Sequence, residues 1–244
     1  MPKLPDPPKP ARDAFRQYLI ERGGSPGFSA FGPIEELRRF RFYVETFEKF
    51  ISDQEAEEIA ALDRKTKGLS EDVRGEFWSY HYPVHWDEIF PETLRSSFLI
   101  SLISFVEFTV VQFCRDVEVI ANAPLSANKI KGTILERSQV FLRTFGGFAT
   151  PSDDEWATLS HIYDVRNVFV HNGGTVFESR DETRVTQFAK TVTGLAETHG
   201  RLLVTPEFIS FSLDAIDQFI GALLKERGEL CGRVQSFERS TKVP

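Results

Sequence analysis

The sequence predicts a mainly α-helical bundle with a small β-hairpin inserted before its last helix. Three observations lead there. Apolar residues recur at three- and four-residue intervals over long stretches, as in Ile34, Leu37, Phe40, Tyr43-Val44, Phe47 and Ile51, which is the period of a helix with one buried stripe. Helix start and stop signals bracket such stretches: Pro33, Pro91-Glu92 and Ser152 with Glu155 at starts, Gly146-Gly147 and Asn172-Gly173-Gly174 at ends. Short β-like pieces appear only between residue 175 and residue 211, ahead of one more helical stretch.

Taken in order, residues 1–10 carry five prolines and read as a disordered lead. Residues 11–90 read as a helical and irregular N-terminal extension packed on the core, and 91–244 as the main helical domain. Within the extension, a short helix is expected over 11–21, broken by Gly23-Gly24-Ser25-Pro26-Gly27. A long helix follows from Pro33 to about residue 65, with Glu45, Glu48, Glu55, Glu57 and Glu58 on its solvated side. The stretch from Phe77 to Trp86 is dense in aromatics with Pro83 inside it, and reads as an irregular cap over the core.

Pro91-Glu92 opens a helix expected over 91–121, and a third long helix is expected over 126–145. Ser152 and Glu155 have the spacing of a capping box, in which each side chain bonds the other residue's backbone N–H. The helix they start should run to about residue 171. Residues 201–205 and 207–211 flank Pro206 and are the expected hairpin. The last helix is expected from Ser212 to about residue 230, with Leu213, Ile216, Phe219, Ile220, Leu223 and Leu224 apolar.

Composition excludes some function classes. The net charge is −7 and the pI about 5.4, which counts against a dedicated duplex binder that gains affinity from a basic face. A small site gripping one or two nucleotides remains open. There are 23 Phe against 5 Tyr and 3 Trp; Phe adds apolar area without a polar handle, so Phe-rich helix packing and a subunit interface are expected. Cys114 and Cys231, the only cysteines, make neither a zinc pattern nor a disulfide framework. The first ten residues carry no apolar signal core. The run 98–113 reads as too polar and too short for a membrane span, so a cytoplasmic location is expected. Phosphate-loop, dinucleotide-fold, zinc-protease and serine-hydrolase signatures are absent. His81 and His85 are four apart, but Pro83 between them and the lack of a third ligand argue against a metal. No metal or cofactor is expected.

Chemistry concentrates at the end of the helix over 153–171. On a wheel at about 100° per residue, Trp156, Leu159, Ile162, Tyr163, Phe169 and Val170 share a face, and Arg166 falls within it. A charge in an apolar stripe must be paired or must project into a cleft. Asn167, Asp164 and His171 lie on a neighbouring face. The helix end favours a cation, a histidine is suited to proton transfer at neutral pH, and an arginine grips phosphate with a planar fork of donors. Those roles match RNA cleavage by the sugar's own 2′-hydroxyl, which needs a proton acceptor and donors for the charge growing on phosphate.

The run Arg166-Asn167-Val168-Phe169-Val170-His171 resembles the R-x4-H motif of HEPN domains (higher eukaryotes and prokaryotes nucleotide-binding), in the form with a polar residue after the arginine. The resemblance covers residues 91–230 and rests mainly on this motif and its helical setting. It implies a helical bundle, a metal-independent endoribonuclease activity, and a homodimer in which two motifs face one cleft. His171 would be the acid/base residue, Arg166 the phosphate stabiliser and Asn167 an orienting group. RNA is the implied substrate, in a toxin–antitoxin or phage-defence setting, with an antitoxin or defence protein as a further partner and no membrane. Glu107, a carboxylate among Ile100, Ile103, Val111 and Cys114, is the expected partner of Arg166, and an acidic residue on an earlier helix also fits the resemblance.

Plainer readings stand beside each residue. Arg166 and Glu107 would serve as a buried structural pair, His171 as a cap on the helix's last carbonyls, Asn167 as an amide tying helices together, and Asp164 as a solvated or supporting group. Trp78, Tyr80, Tyr82 and Trp86 would cover the core rather than stack on bases. Lys129, Lys131, Arg137 and Arg143 would line an RNA path or simply solubilise their helix. Two whole-chain alternatives follow: a non-catalytic HEPN-like module that binds nucleotide, RNA or protein, and a helical scaffold protein.

Overall fold

A computed structural model describes residues 9–22, 32–177 and 179–240. Most of the expected lead and the glycine-rich break after it lie outside the described residues. The chain is mainly α-helical, with one two-stranded antiparallel hairpin before the last helix. The helices are α1 (Lys9–Arg22), α2 (Gly32–Thr66), α3 (Glu71–His81), α4 (Phe90–Ile120), α5 (Ile134–Phe141), α6 (Asp153–Asn172), α7 (Glu182–Ala189) and α8 (Pro206–Ser240). The strands are β1 (Leu195–Thr198) and β2 (Arg201–Val204). Of the described residues, those within Met1–Arg38, Ile103–Tyr163 and Ser212–Pro244 form a first compact unit, and Arg39–Leu102 with Asp164–Phe211 form a second.

The first unit buries α4 and α8 residues that recur at helical spacing: Val106, Val110, Phe113 and Val117 on one, Leu213, Ile216, Phe219, Ile220 and Leu223 on the other. Trp156 of α6 meets Phe219 edge to face at 4.7 Å, the arrangement that the ring quadrupoles favour. Arg227 is almost wholly buried. Its guanidinium sits 3.0 Å from the Asp116 carboxylate and 5.1 Å from the centre of the Phe113 ring. Removing either charge would strand the other in a low-dielectric core. Glu226 accepts the Ala149 and Thr150 backbone N–H groups and the Thr150 hydroxyl, at 2.8 to 3.0 Å, and so fastens the loop before α6 to α8.

α8 extends well past the expected end near residue 230, to Ser240. Polar ties hold its last turns. Arg233 donates to the Gly146 carbonyl, Gln235 to the Ile20 carbonyl, and Glu238 pairs with Arg16 at 2.6 Å. Apolar periodicity does not reveal such ties. The expected helix over 126–145 is also divided. A single turn at Ala127–Lys129 is followed by α5, which starts with a complete Thr133–Glu136 capping box and continues as a π-helical turn to Gly146. Two local hydrogen bonds at Thr133 thus reset the helix start inside a stretch whose apolar pattern looks continuous.

In the second unit the aromatic stretch after residue 66 is largely helical rather than an irregular cap. It forms α3 and then a π-helical turn, His85–Ile89, that leads into α4. The indole N–H groups find partners: Trp78 donates to Thr66 and Trp86 to Glu58. Tyr82 bonds Asp87, while Tyr80 is 79% exposed. Arg95 clasps Glu48 in a bidentate pair at 2.7 and 2.8 Å and also reaches the Val204 carbonyl, which joins α4 to α2 and to the hairpin.

The hairpin pairs Leu195 with Val204 through Thr198 with Arg201, not residues 201–205 with 207–211. Its two turn residues, His199 and Gly200, both have positive φ, 51° and 76°, as a two-residue turn that matches the strand twist requires. Residues 207–211 are instead the first turns of α8. Pro206 fits the first helical position, where its missing N–H costs nothing, and the Thr205 carbonyl accepts the Phe208 N–H at 3.1 Å.

Within the continuous helical stretch His85–Ile120, one window is long and apolar enough to cross a membrane by length and composition. That corrects the expectation of a run too short and too polar. Half of the window is buried inside the protein, including Phe98, Leu99, Leu102, Ile103 and Val106, as a core helix would be.

Candidate functional site

The capping box at the start of α6 is formed as its spacing implies: Ser152 N–H reaches Glu155 at 2.6 Å, and Glu155 N–H reaches the Ser152 hydroxyl at 3.3 Å. From there the helix runs unbroken to Asn172. Its buried apolar positions are Trp156, Leu159, Ile162, Val165 and Val168, stepping by three. Each step of three turns the wheel by about 300°, so the buried stripe drifts backward by roughly 60° per step. By the last turns it has moved off the face that holds Arg166. Val170 is 42% exposed, against the expectation of an apolar face position.

Arg166 is consequently half-buried at the edge of the stripe. Its Nη1 donates to the Asn167 side-chain oxygen at 3.1 Å. Asn167 is half-buried too, and His171 is exposed at the last turn of the helix. Arg166 and His171, five residues apart, diverge by about 140° on the wheel and by roughly 7.5 Å along the axis. Asn167 and His171, four apart, lie within about 40°. Asn167 therefore links the two: it holds the guanidinium on one side and stands one turn before the imidazole on the other.

Of the two plainer readings of Asp164, solvated or supporting, its burial excludes the first. It is 5% exposed, and its carboxylate meets Arg184 of α7 at 2.8 Å. α7 was not foreseen in the sequence, so neither was this partner. Glu107 is half-buried on α4; it belongs to the first unit, whereas Arg166, Asn167 and His171 belong to the second.

The segment after His171 is fixed by backbone bonds. Gly173 and Gly174 have φ of 57° and 86°, and the Gly174 N–H returns to the Val168 carbonyl at 3.2 Å. Val176 N–H then bonds the Gly200 carbonyl at 2.8 Å, and Leu202 N–H the Gly174 carbonyl at 2.9 Å. The hairpin turn is thereby stitched to the end of α6. Arg201, bridged to Thr175, pairs with Glu92 at 2.7 Å. Of the basic set on the third stretch, Arg143 is engaged by Asp153 at 2.7 Å.

Among the described residues the two thiols are sequestered, whereas His85 is exposed. Cys114 and Cys231 are free and buried; desolvation pushes the Cys114 thiol up to about 11 and raises Cys231 as well. His85 lies 3.5 Å from Glu58 and packs on Trp86 and Phe90. Comparison of the chain with protein-family models, with curated proteins and with solved structures finds no match. The class defined by these observations is a mainly α-helical protein with an Arg166–Asn167 hydrogen bond and an exposed His171 in the last turns of one helix.

Proposed function

We propose that the chain is a metal-independent endoribonuclease of HEPN type. The observation that carries this reading is the end of α6, where Asn167 holds a half-buried Arg166 one turn before an exposed His171. In the proposed reaction His171 takes the proton from a ribose 2′-hydroxyl, and the 2′-oxygen attacks the adjacent phosphorus. The P–O5′ bond breaks, leaving a 2′,3′-cyclic phosphate and a 5′-hydroxyl end that receives a proton. Arg166 donates hydrogen bonds to the phosphate oxygens as charge builds on them. Asn167 keeps the guanidinium aimed. The wheel offset between Arg166 and His171 favours a cleft shared with a second copy, where groups from both helices converge. A toxin–antitoxin or phage-defence role, with a protein antitoxin, fits such an activity.

The test is RNA incubated with the full chain in EDTA, beside His171→Ala and Arg166→Ala. The expected outcome is cleavage by wild type to cyclic-phosphate ends, and a loss of at least about a hundredfold in each variant. Equal cleavage by wild type and His171→Ala sinks the assignment. Saturable RNA binding without product would instead favour a non-catalytic binding module.

A further inference from the structure

α2 carries two distinct apolar faces. Val44, Ile51 and Leu62 are buried. Tyr43, Phe47 and Phe50 form a second row, and remain 46%, 42% and 50% exposed. On the wheel these three fall within about 60° of each other and off the buried row. The row continues sideways. Phe50 meets Trp86 edge to face at 5.9 Å, and Trp86 packs on Phe90 at 4.8 Å. Ile89 and Phe90 add exposures of 54% and 43%. A contiguous aromatic patch of this kind on a folded surface marks a place where something docks.

The charges at its two ends identify the occupant. Arg39 and Glu57 are both exposed and lie on the same side of the wheel as Tyr43, Phe47 and Phe50. Each stands nine positions from residue 48, and the two are roughly 27 Å apart along the helix. An identical helix laid antiparallel, with its two-fold axis at residue 48, sets Arg39 opposite the partner subunit's Glu57 at both ends and the aromatic rows together between them. A parallel arrangement would set like charge against like. Beside the row Asp53 is neutralised by Lys49 at 2.6 Å and Glu58 accepts the Trp86 indole N–H at 2.7 Å, so the face offers no net basic charge to draw in a phosphate backbone or an anionic lipid surface. We propose that this α2 face is the seat of a second copy of the chain, in an isologous antiparallel dimer. The inference does not rest on the ribonuclease reading.

Sedimentation velocity and light scattering on the full chain test it. The wild type should be dimeric at micromolar concentration. Phe47→Glu should shift it to monomer without changing its far-ultraviolet dichroism. Arg39→Glu or Glu57→Arg alone should each weaken dimerisation about tenfold or more at low salt, and the double swap Arg39→Glu with Glu57→Arg should restore it. A monomeric wild type overturns the proposal, as does a dimer indifferent to Phe47→Glu. Failure of the double swap to rescue overturns the antiparallel arrangement. A dimer indifferent to Phe47→Glu overturns the α2 interface and leaves the shared cleft at α6 standing, while the cleavage assay with His171→Ala tests the activity separately.

Discussion

Asp164 shows how much one side chain can conceal. In the sequence it reads as a solvated or supporting group; in the fold it is 5% exposed and paired with Arg184 at 2.8 Å. The pair is asymmetric, because the Arg184 side chain is 53% exposed while that of Asp164 is 7% exposed. Water screens the cation but not the carboxylate. Arg184→Ala should therefore cost about 1–2 kcal/mol, read from urea unfolding, since it weakens the satisfaction of a buried anion. Asp164→Asn should cost less, because the amide still accepts a hydrogen bond and Arg184 can return to water. If the two variants fall in the opposite order, the carboxylate's stability has another source. Arg166 was legible for a related reason: a guanidinium in an apolar run stands out in any sequence. Its hydrogen bond to Asn167 was not, since it depends on a buried stripe that rotates along the helix.

At the level of elements, what the sequence shows and hides follows from whether the signal is local. The α6 capping box is two residues three apart, and it forms as its spacing implies. The sequence predicts a hairpin before the last helix, and one forms there, but its first strand is β1 rather than residues 207–211, which open α8. Pro206 reads equally as a strand interruption or a helix start; only the contact between Gly194 and the first turn of α8 decides. Gly194 has φ of 83°, and a Cβ there would lie 2.4 Å from the Phe208 backbone nitrogen. His199 also has positive φ, at 51°, but sits at the open hairpin turn. The two positions should thus respond in opposite ways. Gly194→Ala should destabilise by at least about 2 kcal/mol through strain and backbone clash. His199→Gly should be neutral or stabilising by up to about 1 kcal/mol. Thermal unfolding of both variants is the check, and a tolerated Gly194→Ala would show that β1 can move away from α8.

For the whole molecule the informative quantity is net charge. A net charge of −7 counts against a broad basic surface for RNA, and several of the arginines are engaged by carboxylates: Arg95 with Glu48, Arg143 with Asp153, Arg184 with Asp164, Arg201 with Glu92. A proposed site built on Arg166 and His171 can then neutralise only about one or two phosphates. Counterion release makes log K fall against log salt by about 0.7 per phosphate on a single strand, so the slope for RNA should be shallow, between about −0.7 and −1.4. His171→Ala should flatten that slope by at most about 0.7 while cleavage is lost, and Arg166→Ala should flatten it by about 0.7. Fluorescence anisotropy with a short single-stranded RNA, taken over a salt series, measures both. A steep slope in the wild type would mean that a wider basic surface, rather than the end of α6, holds the strand.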